Sequence, residues 1–159
     1  MFIAAVRADG GQAERVPDAG AAREHLAGLL GDDATLCFWD GDPLVMSLDP
    51  ASLGRETSPG EAFAGITGAA FGVAPTGTLV LTYGAGCSRT TGLLPDLHIA
   101  LLPAERVLAT LDDAIARVYA GEVPRAMTLV TGASATSDIE KIRVTGAHGP
   151  RNVAVVLIG

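Results

Sequence analysis

Short apolar runs separated by glycine, proline and acidic residues set the rhythm of the chain. Phe2 to Arg7 reads as a strand and Asp9 to Pro17 as a loop rich in glycine and charge. Asp18 to Leu30 reads as a helix. Leu26, Leu29 and Leu30 fall on one face with Ala22, Asp18 can cap the start, and Gly31 stops it. Thr35 to Trp39 follows as a strand that leaves through Asp40-Gly41. Pro43 to Leu48 reads as a further short strand, and Asp49 to Gly60 as a polar connection.

Phe63 to Thr67 and Thr78 to Tyr83 read as strands, with Phe71 to Ala74 a short edge strand between them and Pro75-Thr76-Gly77 a tight turn. This is hairpin chemistry, so an antiparallel element attached to an otherwise parallel sheet is expected. Arg89 to Leu94 reads as a short helix or turn ending at Pro95, and Leu97 to Leu102 as a buried strand. Ala104 to Ala120 reads as an amphipathic helix with Val107, Leu108, Leu111, Ile115 and Val118 on one face. With Met127 to Val130 as the next strand, Leu97 to Val130 makes a βαβ unit with a right-handed crossover. Asn152 to Ile158 is a last apolar strand, and both it and Met127 to Val130 are expected to be buried on two faces. The expected fold is therefore α/β: a mostly parallel open sheet flanked by helices, with an antiparallel hairpin.

Composition narrows the function classes. The chain has 159 residues, 48% hydrophobic against 18% charged, which fits one domain with a substantial core. The formal net charge is −7 and Lys141 is the sole lysine, so neither nucleic acid nor an anionic membrane is an expected partner. Met1 to Val6 is too short for a spanning helix and lacks the basic start of a signal peptide, which gives a cytoplasmic expectation without membrane insertion. Cys37 and Cys87 are the two cysteines. They lack zinc-knuckle spacing and fall short of the four thiolates of an iron–sulfur cluster, so no metal and no cofactor is evident.

The polar groups that could greet a ligand gather after Ala126. Thr131-Gly132-Ala133-Ser134-Ala135-Thr136-Ser137 leaves a strand and enters a short helix beginning near Ser137 or Asp138. Backbone N–H groups and hydroxyls there suit a carboxylate or phosphate; the same pattern also serves as a plain capping box. His148 could donate to an anion, or simply brace its loop. Arg151 could clamp a carboxylate, or pair with Asp138 or Glu140. Arg89 reaches out from a glycine-rich loop or lies on the surface. His98 reads as a hydrogen-bonded core histidine. Cys87 is a loop thiol without an evident histidine partner. Neither a P-loop nor GxGxxG is present.

Three segments together, Thr76 to Gly84 (TGTLVLTYG), Leu93 to Pro103 (LLPDLHIALLP) and the C-terminal TGASATSDIEKIRVTGAHGPRNVAVVLIG, resemble the lactate-utilisation (LUD) domain family. The likeness covers residues 63–158, whereas residues 1–60 are a divergent and shortened N-terminal part of the same single domain. The resemblance implies a fold similar to the sugar-phosphate isomerase and coenzyme A transferase superfamily. It also implies a role beside iron–sulfur oxidoreductase subunits in oxidising L-lactate to pyruvate, with a small anionic metabolite as ligand. Asp138, Glu140, His148, Gly149, Pro150 and Arg151 match the family's C-terminal pattern, Thr76 and Gly77 its turn, and Arg89 its loop arginine. Two positions depart from it. Pro75 stands where an acidic residue usually precedes Thr-Gly, and Gly132-Ala133-Ser134-Ala135-Thr136 replaces Gly-Pro-Ser-Arg-Thr, removing a guanidinium.

Three roles follow. One is an accessory anion-binding component whose seat comprises Thr76, Gly77, Arg89, Gly132, Ser134, Thr136, Ser137, His148 and Arg151. Another is an isomerase-, transferase- or ligase-like enzyme with Asp138 or Glu140 as acid or base and His148 as helper. The third is an assembly subunit, in which the apolar N-terminal segment or the hairpin edge pairs with another chain, leaving a homo-oligomer open.

Overall fold

The computed structural model describes residues 1–133, 135–137, 143–145 and 149–159. Its elements in chain order are α1 (Phe2–Ala8), β1 (Gln12–Val16), α2 (Ala19–Leu30), β2 (Thr35–Phe38), α3 (Pro43–Ser47), β3 (Arg55–Glu56), β4 (Ala64–Gly68), β5 (Phe71–Val73), β6 (Thr78–Tyr83), β7 (Leu97–Pro103), β8 (Val107–Leu108), α4 (Leu111–Tyr119), β9 (Ala126–Val130), β10 (Ala135–Ser137), β11 (Arg143–Thr145) and β12 (Asn152–Ile158). Short 3-10 turns at Pro50–Ser52, Arg89–Gly92 and Ala104–Arg106 join them.

The architecture is α/β. Six parallel strands form one sheet in the order β1-β12-β7-β4-β2-β3. A mixed sheet of four strands, β8-β5-β6-β9, packs beside it, and β10 pairs antiparallel with β11. The central strands β4, β7 and β12 are almost wholly buried, which is why they read as continuous apolar runs. α2 packs on β1 and β12, burying Ala22, Leu26 and Leu30, with Asp18 Oδ1 accepting from the Ala21 N–H at 2.9 Å. One hydrophobic cluster runs from Phe2 and Val6 through Ile66, Leu81, Ile99 and Leu101 to Val156, and so joins both large sheets. Among the described residues no helix is long and apolar enough to cross a membrane.

Several local expectations are corrected. Phe2 to Arg7 is helical, because Phe2 and Val6, four residues apart, bury one face of an alanine-rich segment. The supposed loop after it contains β1, whose alternation is blurred because it is an edge strand with only Ala13 and Val16 buried. Pro43 to Ser47 is a helix, not a strand. Asp42 Oδ1 accepts from the N–H groups of Leu44 and Val45 at 2.9 and 3.1 Å, and Pro43 occupies the first turn. The helix expected from Ala104 begins only at Leu111, where Thr110 caps the N–H of Asp113 at 3.1 Å; Val107 and Leu108 instead form β8 against β5.

The larger correction concerns the βαβ unit. β7 lies in the parallel sheet while β9 pairs antiparallel with β6 in the other, so no crossover between parallel neighbours exists here. The hairpin likewise belongs to that second sheet instead of decorating the first. β9 is a half-buried edge strand with Leu129 42% exposed, not one covered on both faces. β10 shows that the chain is extended through Ser137, so no helix begins at Ser137; the alternative start at Asp138 lies outside the described residues.

Candidate functional site

The turn between β5 and β6 places Gly77 at φ +66° with its N–H donating to Val73 O at 2.9 Å. A Cβ on Gly77 would meet the backbone of Ala5 and Val6, so the turn rests directly on α1. From it a line of hydroxyls crosses to β9. Thr76 Oγ1 lies 2.7 Å from Thr78 Oγ1, which lies 2.8 Å from Thr131 Oγ1. Gly132, also left-handed at φ +69°, then abuts the carbonyl of Asp9 at the end of α1. Two segments distant in sequence are thereby fixed against one helix.

Beyond Thr131 lies a cavity of about 210 Å³, lined by Gly92, Leu93, Thr128, Val130, Gly132 and Pro150 among others. It sits between the carboxyl end of β9, the amino end of β12 and the Arg89–Gly92 turn. β9 and β12 belong to different sheets, and the carboxyl end of one meets the amino end of the other at this cavity.

Of the expected site residues, Gly132 lines the cavity, and Thr76 and Gly77 are tied to it through the hydroxyl chain. Thr136 and Ser137 follow in β10. Arg151 is next to Pro150, but its Nε lies 3.5 Å from Asp96 Oδ1, with both side chains more than half exposed. Asp96 is its partner among the described residues; the expected partners Asp138 and Glu140 lie outside them. A surface pair of this kind holds by ~1 kcal/mol or less and leaves the guanidinium free to exchange partners. Arg89, exposed at the start of its turn, has no hydrogen bond or ion pair among the described residues. Ser134, Asp138, Glu140 and His148 lie outside the described residues.

A second concavity, about 250 Å³, opens at the carboxyl end of β2 between Phe38, Asp40, Glu56, Cys87 and Thr91. Its carboxylates repel an anion. Burial, then Asp42 and Asp40, push the Cys87 thiol above its ordinary pKa, which opposes a thiolate nucleophile. His98 is a core residue as expected, fully enclosed, with Nε2 2.8 Å from Thr67 Oγ1. The residues that sequence reasoning missed are Thr78, Gly92, Leu93 and Asp9. Thr76 and Thr78, two apart across a left-handed glycine, could have signalled the hydroxyl line; the others have no local signature.

Comparison with known proteins follows the same segments. A family model described as LUD domain matches residues 56–158. Lactate utilization protein C of Deinococcus radiodurans is 32% identical over 163 residues, covering 92% of this chain and 77% of the relative. Lactate utilization protein C of Geobacillus thermodenitrificans is 30% identical over 161 residues, covering 96% of this chain; the chain spans 65% of that relative. A solved DUF162 family protein from Deinococcus radiodurans superimposes with a TM-score of 0.73 at 23% identity, covering 99% of this chain and 94% of the other, a likeness of fold.

Proposed function

The chain belongs to the LUD domain family, and from that premise we propose that it serves lactate utilisation as an anion-binding component, acting beside iron–sulfur oxidoreductase subunits in the oxidation of L-lactate to pyruvate. The observation that supports the binding half of this reading is that Thr131-Gly132 and the Gly149-Pro150 segment line one small cavity, with the Thr76-Gly77 turn tied to Thr131 through Thr78. At about 210 Å³ it is smaller than the ~300–1,000 Å³ typical of pockets for drug-sized ligands, which favours a three-carbon acid over a nucleotide. The Thr128 and Thr131 hydroxyls and the backbone of Gly132 and Gly149 offer polar groups, Leu93 and Val130 an apolar wall, and Arg151 stands close by on an exchangeable ion pair.

Titration calorimetry with L-lactate, pyruvate and small phosphate esters tests the proposal. Loss of one neutral hydrogen bond contributes ~1 kcal/mol, so Thr131→Val should weaken carboxylate binding about fivefold, and Arg151→Ala by at least as much. If both variants bind every anion as the parent does, the seat lies elsewhere.

A further inference from the structure

His98 stands on β7, in the middle of the parallel sheet, with no solvent exposure. Its Nε2 meets Thr67 Oγ1 at 2.8 Å, while Nδ1 is buried without a hydrogen-bond partner among the described residues. Only the neutral ring suits this seat. A protonated imidazole donates from both nitrogens, and the Nδ1–H would have no acceptor. The strand register puts His98 on one face of the sheet with Gly65 and Thr67 of β4 and Val153 and Val155 of β12; Cys37 of β2 lies beside Gly65.

The Arg89–Gly92 turn covers that face. A Cβ on Gly92 would sit 3.3 Å from His98 Nε2 and 3.5 Å from Cε1, and one on Gly65 would collide with the Thr91 carbonyl oxygen. The Thr91 side chain lies close to the Cys37 thiol, which is buried beneath the turn. Just upstream, the Trp39 indole Nε1–H donates to Ser88 O at 2.8 Å. Downstream, Leu93 walls the cavity already described.

We propose that His98 is a proton-operated latch: charging its ring releases the Ser88–Leu93 segment from the face of the parallel sheet, baring Cys37 and removing one wall of the cavity. β7 itself is held by ladders to β4 and β12 on both sides, whereas the covering segment is one exposed-ended turn, so it is the element that yields at least cost. Among the described residues no charged side chain opposes the effect from the packed elements. β4 presents Gly65 and Thr67, β12 presents Val153 and Val155, the turn presents Thr91 and Gly92, and Cys37 is a further titratable group on this face. Burial alone lowers the ring's pKa to about 4 from 6.5. Opening restores the ordinary value, so the open population should rise about tenfold per pH unit between these limits, roughly 300-fold in all.

The inference does not depend on what the cavity holds, because Cys37 reports on the turn directly. In Cys87→Ser protein, Cys37 is the sole thiol. Its reaction with 2,2′-dipyridyl disulfide, normalised to free cysteine at each pH, should accelerate as the pH falls, while far-UV circular dichroism stays native. His98→Gln should abolish the acceleration. Fluorescence of Trp39, the single tryptophan, should change in step with thiol exposure. A flat labelling rate, an acceleration that coincides with loss of ellipticity, or the same pH profile in His98→Gln each overturn the proposal. Should His98→Gln fail to fold, NMR titration of labelled histidine in the parent decides, since ring protonation and thiol exposure must share one curve and separate curves refute the latch.

Discussion

Gly65 lies where the carbonyl oxygen of Thr91 comes down onto β4, and no methyl group fits between them. Overpacking of a close-packed site typically costs ~1–3 kcal/mol, so Gly65→Ala should lower the unfolding free energy by that amount, read as a lower urea midpoint at unchanged m, and loosen the covering turn. A neutral Gly65→Ala would mean that the turn moves freely. At this scale the candidate site was only partly legible. Thr76-Gly77 and Thr131-Gly132 each announce a turn by themselves, since glycine after a small polar residue marks positive φ. That Thr78 ties them together over a 53-residue separation is a fact of strand pairing, invisible to any local pattern. Arg151 adds a second case: it meets Asp96, a partner no local pattern names, because β12 and β7 run parallel in register.

Elements were legible where caps and period agreed and illegible where a short apolar run could serve either geometry. α2 carries a cap, a stop and a four-residue spacing of buried groups, and all three agree. α3 has five residues, too few for a period, and its apolar run fits a strand equally well; the deciding signal is Asp42-Pro43, an N-cap followed by a first-turn proline. Asp42→Ala removes the acceptor for two backbone N–H groups and should cost ~1 kcal/mol in chemical denaturation, with α3 the first element to lose hydrogen-exchange protection. Unchanged protection would show that packing of Val45, not the cap, holds this helix. β8 escaped notice because Val107 and Leu108 also fit the apolar face of a longer helix, and only tertiary pairing with β5 separates the two readings. The sheet to which a strand belongs was similarly hidden: β7 and β9 look like consecutive members of one parallel sheet until β6 claims β9.

For the molecule as a whole, the fully buried neutral histidine sets an acid limit. Above pH 6.5 neither the folded nor the unfolded ring is charged, and the contribution of His98 to stability is fully present. As the pH falls from 6.5 towards 4 the unfolded chain binds a proton that the folded ring refuses, so stability is lost over this window, by about 3 kcal/mol in total. Urea unfolding of the parent and His98→Gln across the same range should give curves that converge in acid and diverge towards neutrality; parallel curves would mean that other groups govern the acid response. The placement of β12 between β1 and β7 bears on how the chain finds its shape. Gln12 must meet Ala154 before the first strand has any neighbour, and Leu97 has only one flank satisfied until Asn152 arrives. Loop closure over such separations makes folding slow, on the order of milliseconds to seconds, and any fragment ending before Asn152 splits the main sheet and presents two raw edges to other copies of itself.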